Sequence, residues 1–156
     1  KSLEVSVGAM KILVDRGIKA SWYCLGDGPE RGKLEKEVEQ MGLEGKFIFL
    51  GAKTNPYPYY KKSDIYVHAT RFEGKSIAIQ EAQILGCPVI ASDCSGNREQ
   101  VVDGVDGYLC EFSKEGIASA IMKMLDNKQH WDEYTLRARE KVHNDDRELN
   151  YLYELL

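Results

Sequence analysis

Two carboxylates, Glu73 and Glu81, bracket the segment Glu-Gly-Lys-Ser-Ile-Ala-Ile-Gln-Glu. The run Asp64-Ile65-Tyr66-Val67-His68 before it predicts a buried strand. The run from Ile79 to Leu85, closing on Gly86, predicts a helix with a glycine C-cap. Glu73 then lies on a strand-to-helix loop, and Glu81 about a turn inside the helix. Gly74 lets backbone approach a ligand closely, and the helix start offers N–H groups with no intrahelical acceptor. A helix N-terminus attracts phosphate, and carboxylates beside it accept hydrogen bonds from sugar hydroxyls. A nucleoside diphosphate carrying a sugar has both parts.

The elements that must position this segment alternate along the chain. Leu3, Val7, Met10 and Val14 fall at helical spacing, with Gly17 as a stop. Ala20 to Leu25 reads as a strand running into the turn Gly26-Asp27-Gly28-Pro29. Leu34, Val38 and Met41 mark a second helix, closed by Gly42. Phe47-Ile48-Phe49-Leu50 is a short apolar strand ending at Gly51. After the helix bearing Glu81, Pro88-Val89-Ile90-Ala91 is a strand and Ser92 to Gly96 a polar turn. A short helix is expected over 98–102 and a last strand over Tyr108-Leu109-Cys110. Ile117, Ile121 and Leu125 mark a helix, and the charge-rich tail from Trp131 to Leu156 reads as helical.

Five apolar strands separated by helices predict an α/β fold: a Rossmann-like, doubly wound parallel sheet with helices on both faces. Ligands in such sheets bind beyond the carboxyl ends of the strands. The loops Gly26–Pro29, Gly51–Asn55 and Ser92–Gly96 lie at three such ends, and Glu73 at a fourth. The expectation is one nucleotide-sugar-binding domain over residues 1–156, with its C-terminal helices over about 115–156. The chain opens on a helix where a doubly wound sheet would have a strand, so a fragment of a larger polypeptide is expected.

Composition bounds the function. The chain has 156 residues, 43% hydrophobic and 29% charged, with a net charge of −4. That is a globular balance, and its mild acidity argues against a nucleic-acid partner. No apolar stretch is long enough to span a bilayer, and no signal-peptide pattern is visible. Cys24, Cys87, Cys94 and Cys110 show no C-x-x-C spacing. They read as reduced packing residues, which suggests a cytoplasmic protein. No cluster has metal-ligand spacing, so no metal is expected.

Several ordered matches together carry a resemblance: Gly26-Asp27-Gly28-Pro29, Gly42-Leu43, Phe49-Leu50-Gly51, Tyr60, Asp64, Glu73-Gly74, Glu81-Ala82, Gly86-x-Pro88-Val89-Ile90-Ala91, Gly96-x-x-Glu99 and Gly104-x-x-Gly107. Over about residues 1–125 the chain resembles the C-terminal donor-binding domain of family 4 glycosyltransferases. These are retaining, metal-independent enzymes of GT-B architecture, built from two Rossmann-like domains. The resemblance implies that Glu73 lies against the donor sugar and that Glu81 holds the ribose hydroxyls. It implies that Gly74, Lys75, Ser76 and Ile77 meet the sugar and diphosphate. It implies that Gly51, Ala52 and Lys53 wall the base pocket beside the Gly26 turn, and that Lys1 is a diphosphate-contacting lysine. Lys75 replaces the family's common aromatic or proline, and Ala69-Thr70 its proline-serine.

Each residue also has a plainer reading. Glu81 alone would be a solvated helix carboxylate, and Glu73 a simple loop one. The Lys75 side chain either adds charge near the phosphates or faces solvent. His68 reads as a packed strand residue, and His130 and His143 as surface. Asp27 and Asp64 read as turn or capping residues. Tyr57, Tyr59 and Tyr60 read as a loop and short helix packed on the fold. Glu99 braces its loop or touches the cleft.

The expected function is the donor half of a retaining hexosyltransferase acting on a nucleoside diphosphate sugar, UDP by family frequency. No further cofactor is expected. Partners are the donor, an acceptor and the absent N-terminal acceptor domain, with peripheral membrane association possible for the full-length enzyme. Surface polysaccharide or glycolipid assembly is the expected setting. The alternative is a non-catalytic nucleotide-binding or regulatory module on the same fold. A nicotinamide oxidoreductase is disfavoured, because Arg31 stands where Gly26-x-Gly28 would need its third glycine.

Overall fold

The computed structural model describes residues 3–144. Among them the order is α1 (Leu3–Asp15), β1 (Trp22–Leu25), α2 (Arg31–Gln40), β2 (Phe47–Gly51), α3 (Tyr57–Lys62), β3 (Tyr66–His68), α4 (Ile77–Ile84), β4 (Val89–Ser92), α5 (Ser95–Gln100), β5 (Tyr108–Cys110), α6 (Lys114–Asp126) and α7 (Trp131–Asn144), the last preceded by a 3-10 turn. All five expected strands form, and every ladder is parallel. Helices alternate with them, the pattern that a parallel sheet requires of its crossovers. Lys1 lies outside the described residues, as does the helical expectation for 145–156 and the side chain of His143.

The strands form two ladders, β1-β2 and β3-β4-β5. A shared apolar core joins them: Phe47 of β2 packs in the same cluster as Ile90 of β4 and Tyr108 of β5. Side chains alternate across a strand, so β4 serves two cores. Ile90 faces the cluster that holds Met10, Leu13, Ile117 and Met124 of α1 and α6. Val89 and Ala91 face the opposite cluster, with Ile79 and Ala82 of α4. The triple-stranded ladder is thus covered on both faces, as an all-parallel sheet must be.

Register carries this parity into β3. Tyr66 pairs with Val89, Val67 with Ile90 and His68 with Ala91. Tyr66 and His68 therefore share the α4 face, while Val67 joins the α1–α6 core. Some boundaries differ from expectation: β1 begins at Trp22 rather than Ala20, and β3 at Tyr66 rather than Asp64. The helix expected over 98–102 spans Ser95–Gln100, starting within what reads as a turn. Cys94 is the extended residue that begins it. A serine and a glycine at the helix start hide its periodicity.

Candidate active site

The loop that carries Glu73 is pinned from three sides. Thr70 N–H donates to Ser92 Oγ at 3.0 Å, and that hydroxyl donates back to Thr70 O at 2.6 Å. Thr70 Oγ1 donates to Phe72 O, closing a tight local turn. The start of α5 presses on the same loop. A Cβ built on Gly96 would lie 2.2 Å from Glu73 O and 2.1 Å from Gly74 O. No side chain fits there, so glycine at 96 sets how closely the two segments approach.

Helix α4 starts at the end of this loop, with Ser76 as its extended N-cap residue. Gln100 clamps that residue. Ser76 N–H donates to Gln100 Oε1 at 2.6 Å, and Gln100 Nε2 donates to Ser76 O at 2.9 Å. Gln83 in turn donates to Gln100 O. The Ser76 amide, which the resemblance assigns to the diphosphate, is thus already bonded within the fold. Ile77 and Ala78 stand in the first turn, where N–H groups have no intrahelical acceptor. The Ile77 side chain is exposed, as are Gly74 and Lys75. Lys75 lines a cavity of about 120 Å³ with Gln80, Gln83, Glu99 and Lys141. Glu99 is exposed at its rim.

The two carboxylates are joined by a chain of aromatic rings. His68 Nε2 lies 2.8 Å from Glu73 Oε2, and His68 Nδ1 lies 2.9 Å from Tyr66 Oη. The Tyr66 and Tyr60 rings meet edge to face, with centroids 5.3 Å apart. Tyr60 Oη donates to Glu81 Oε2 at 3.2 Å. Burial lifts the Tyr60 and Tyr66 phenols far above their ordinary value, and the Glu81 charge adds to both shifts. Both phenols stay protonated. Desolvation also raises Glu81, against which the Tyr60 hydrogen bond acts. Glu73 and Glu81 are therefore the two ends of one connected run of side chains, Glu73 on the loop before α4 and Glu81 about a turn inside it.

Gly26 and Gly51 stand together at the carboxyl ends of β1 and β2, where Gly26 N–H donates to Gly51 O at 2.9 Å. Both have positive φ, +112° and +71°. Ala52 and Lys53 are exposed just beyond. Asp27 turns the loop by accepting from Gly28 N–H, and it pairs with Arg31. The structure thus gathers Glu73, Glu81, Gly74, Ser76 and Ile77 around one helix start, with Gly26, Gly51, Ala52 and Lys53 at the ends of the other ladder.

Sequence reasoning missed His68, Tyr66, Tyr60, Gln100 and Gly96 as parts of this site. His68 is packed, at 2% exposure, yet it also contacts Glu73. Its spacing of two from Tyr66, with Glu73 at the strand's end, was the available signal. Tyr60 does sit on a short packed helix, as expected, and its hydroxyl reaches Glu81 as well. The Gln100 contact joins residues 24 apart and has no local signature. Among the described residues, no three His, Cys, Asp or Glu side chains converge as metal ligands, and no helix is long and apolar enough to cross a membrane.

Comparison with known proteins identifies the family. A model of the group 1 glycosyl transferases matches residues 1–141. The poly(glycerol-phosphate) α-glucosyltransferase of Bacillus subtilis is 29% identical over 146 residues, covering 90% of this chain and 22% of that protein. The C-terminal domain of LpcC, a group 1 glycosyl transferase family protein of Francisella tularensis, superposes with a TM-score of 0.80 at 26% identity, covering 92% of this chain and 78% of that domain. A mutant of TarM from S. aureus, solved with fondaparinux, α-GlcNAc-glycerol and UDP, superposes with a TM-score of 0.87 at 23% identity, covering 99% of this chain and 31% of that one. The chain spans about a fifth of the B. subtilis relative's length. The parallel α/β fold is the one these glycosyltransferases share, and the chain belongs to the group 1 glycosyltransferase family.

Proposed function

We propose that residues 1–156 form the donor-binding domain of a retaining glycosyltransferase. It moves a hexose from a nucleoside diphosphate sugar, a UDP-sugar, to an acceptor hydroxyl. The observation that carries this reading is the run of contacts from Glu73 through His68, Tyr66 and Tyr60 to Glu81, which flanks α4. In this reading Glu81 accepts hydrogen bonds from the ribose. Glu73 orients the sugar and offsets positive charge as an oxocarbenium-like state develops. The first-turn amides of Ile77 and Ala78 meet the departing diphosphate, whose growing negative charge a fixed array of donors stabilises. The exposed Lys75 adds a cation nearby. The transfer proceeds without a metal ion, and Lys1 adds a further diphosphate contact.

The UDP in the TarM complex and the polymer named in the B. subtilis relative support a UDP-sugar donor and polysaccharide-type assembly. Cysteine usage without any C-x-x-C spacing supports a cytoplasmic setting. The acceptor and any general base come from a partner domain, so this chain alone binds donor without turnover. The test is a thermal-shift panel of UDP, GDP, UDP-glucose, UDP-N-acetylglucosamine and NAD. A ligand that binds only the folded state raises the midpoint by mass action. UDP or a UDP-sugar should raise it and NAD should not. A panel with no nucleotide response overturns the reading. Nucleotide binding without transfer, once the chain is joined to an acceptor domain, favours a non-catalytic module instead.

A further inference from the structure

We propose that His68 is a positioning residue for the donor sugar: it fixes the Glu73 carboxylate from behind, while Tyr66 holds the imidazole in the tautomer that does so. The inference rests on the donor-binding reading above and deepens it at the sugar end of the site.

The geometry assigns each atom a role. A carboxylate can only accept, so the proton between His68 Nε2 and Glu73 Oε2 sits on nitrogen. In a ring protonated at Nε2 alone, the lone pair lies on Nδ1, where Tyr66 Oη stands 2.9 Å away. Tyr66 has a proton to give, because burial and the Glu81 charge hold its phenol protonated. Tyr66 donates to Nδ1, and Nε2–H donates to Glu73. The second ring nitrogen thus sets which proton the first one carries.

Support for the imidazole is rigid. His68 ends β3 in register with Ala91, and its side chain is 2% exposed, against 26% for Glu73. The buried group can only hold, and the half-exposed carboxylate is the one that meets a ligand. A loop carboxylate without such a tether would sample several rotamers, and each immobilised side chain costs about 0.5–1.5 kcal/mol on binding. The imidazole meets that ordering cost in the fold itself. Glu81 is braced by a different donor, Tyr60. The sugar and ribose anchors can therefore be perturbed separately.

Two substitutions separate the atoms. His68→Gln sets an amide nitrogen where Nε2 stands and keeps a donor to Glu73. His68→Asn sets one where Nδ1 stands and leaves Glu73 without it. Calorimetry with UDP and with whichever of UDP-glucose or UDP-N-acetylglucosamine binds better measures the sugar's share of affinity. The expected result is that His68→Asn loses that share by about tenfold, the scale of one hydrogen bond to a charged group. His68→Gln should recover most of it, and UDP itself should bind both variants as it binds the wild type. Equal loss for UDP and UDP-sugar in both variants, or no loss in either, overturns the proposal. Imidazole nitrogen NMR on the wild type, without nucleotide, should show His68 as the neutral Nε2–H tautomer. Protonation at Nδ1, alone or together with Nε2, would overturn it too. Failure of the wild type to bind UDP or either sugar nucleotide would count against the donor reading instead, and the NMR result would still decide the tether.

Discussion

Gly96 touches the main chain of Glu73 so closely that the space for one methyl group is missing: a Cβ on it would lie 2.2 Å from the Glu73 carbonyl oxygen. Two segments 23 positions apart are locked together by the absence of a side chain. Gly96→Ala must therefore push the loop or α5 aside. Overpacking of this kind costs about 1–3 kcal/mol. Urea unfolding should show that loss, and nucleotide-sugar affinity should fall with it, because the loop carries Glu73. An unchanged midpoint would show that the backbone yields freely at this contact.

Glu81 should trade stability for binding. Its pKa is raised by desolvation, with the Tyr60 hydrogen bond acting the other way. For an acid raised on folding, the native state holds the proton more tightly than the unfolded chain. This contribution is most favourable at low pH and is lost as pH rises past the ordinary carboxyl range toward the raised value. Glu81→Gln should thus melt slightly above the wild type at pH 7. That advantage should shrink when both are melted near pH 4.

The same carboxylate should matter to the nucleotide in the opposite sense. A hydrogen bond from ribose to a carboxylate is worth about 1.5–3 kcal/mol. Glu81→Ala should weaken UDP binding by about tenfold or more in calorimetry. Unchanged affinity would remove Glu81 from the ribose role.

Gln100 is expected to matter more than its place on a short surface helix suggests. Its side chain makes two hydrogen bonds to the Ser76 main chain, and it is 5% exposed. Gln100→Ala leaves the buried Ser76 N–H without this partner, at about 1–3 kcal/mol before water enters, and leaves Ser76 O with the 3.3 Å bond from Gln80 N–H. Hydrogen exchange at Ser76 should quicken markedly, while amides in α1 keep their protection.

Lys141 tests the packing behind the site. Its ammonium donates to Asp106 Oδ2 at 3.0 Å and to Gln100 O at 2.8 Å. Asp106 is 3% exposed. Lys141→Met keeps the stem and strips the charge from a buried carboxylate's partner. Since the Lys141 side chain is 34% exposed and Val102 N–H still bonds Asp106, the loss should fall below the roughly 3–5 kcal/mol seen when fully buried pairs are broken. Thermal melts would measure it.

Much of this molecule was legible in the chain. The strands Phe47–Leu50 and Val89–Ala91 are short apolar runs flanked by glycine or proline, and they form where they read. Gly86 ends α4 with φ +75°, as a glycine C-cap does. The loop-and-helix placement of Glu73 and Glu81 followed from the same signals. Contacts made by partners distant in sequence could not be read. Gln100 looks like any surface glutamine until Ser76 is folded against it. His68 looks like a core residue because it is one. Its second role depends on the rotamer of Glu73 and on Tyr66 two residues earlier, which strand periodicity implies but does not aim. The α5 start was misjudged because serine and glycine are poor helix formers, and the packing of Gly96 on the Glu73 loop overrides their preference.

Strand β3 also exposes a vulnerability of counting. Tyr66 and His68 reach the α4 side of the sheet, where Glu73 lies at the rim, and Val67 the α1–α6 side, only because each residue alternates with the next. Gaining a single amino acid inside β3, between Tyr66 and His68, would set one of the two on the wrong face, so that the phenol could no longer reach the imidazole on the same side of the sheet. The connection before Tyr66 can change length freely; the three residues of the strand cannot.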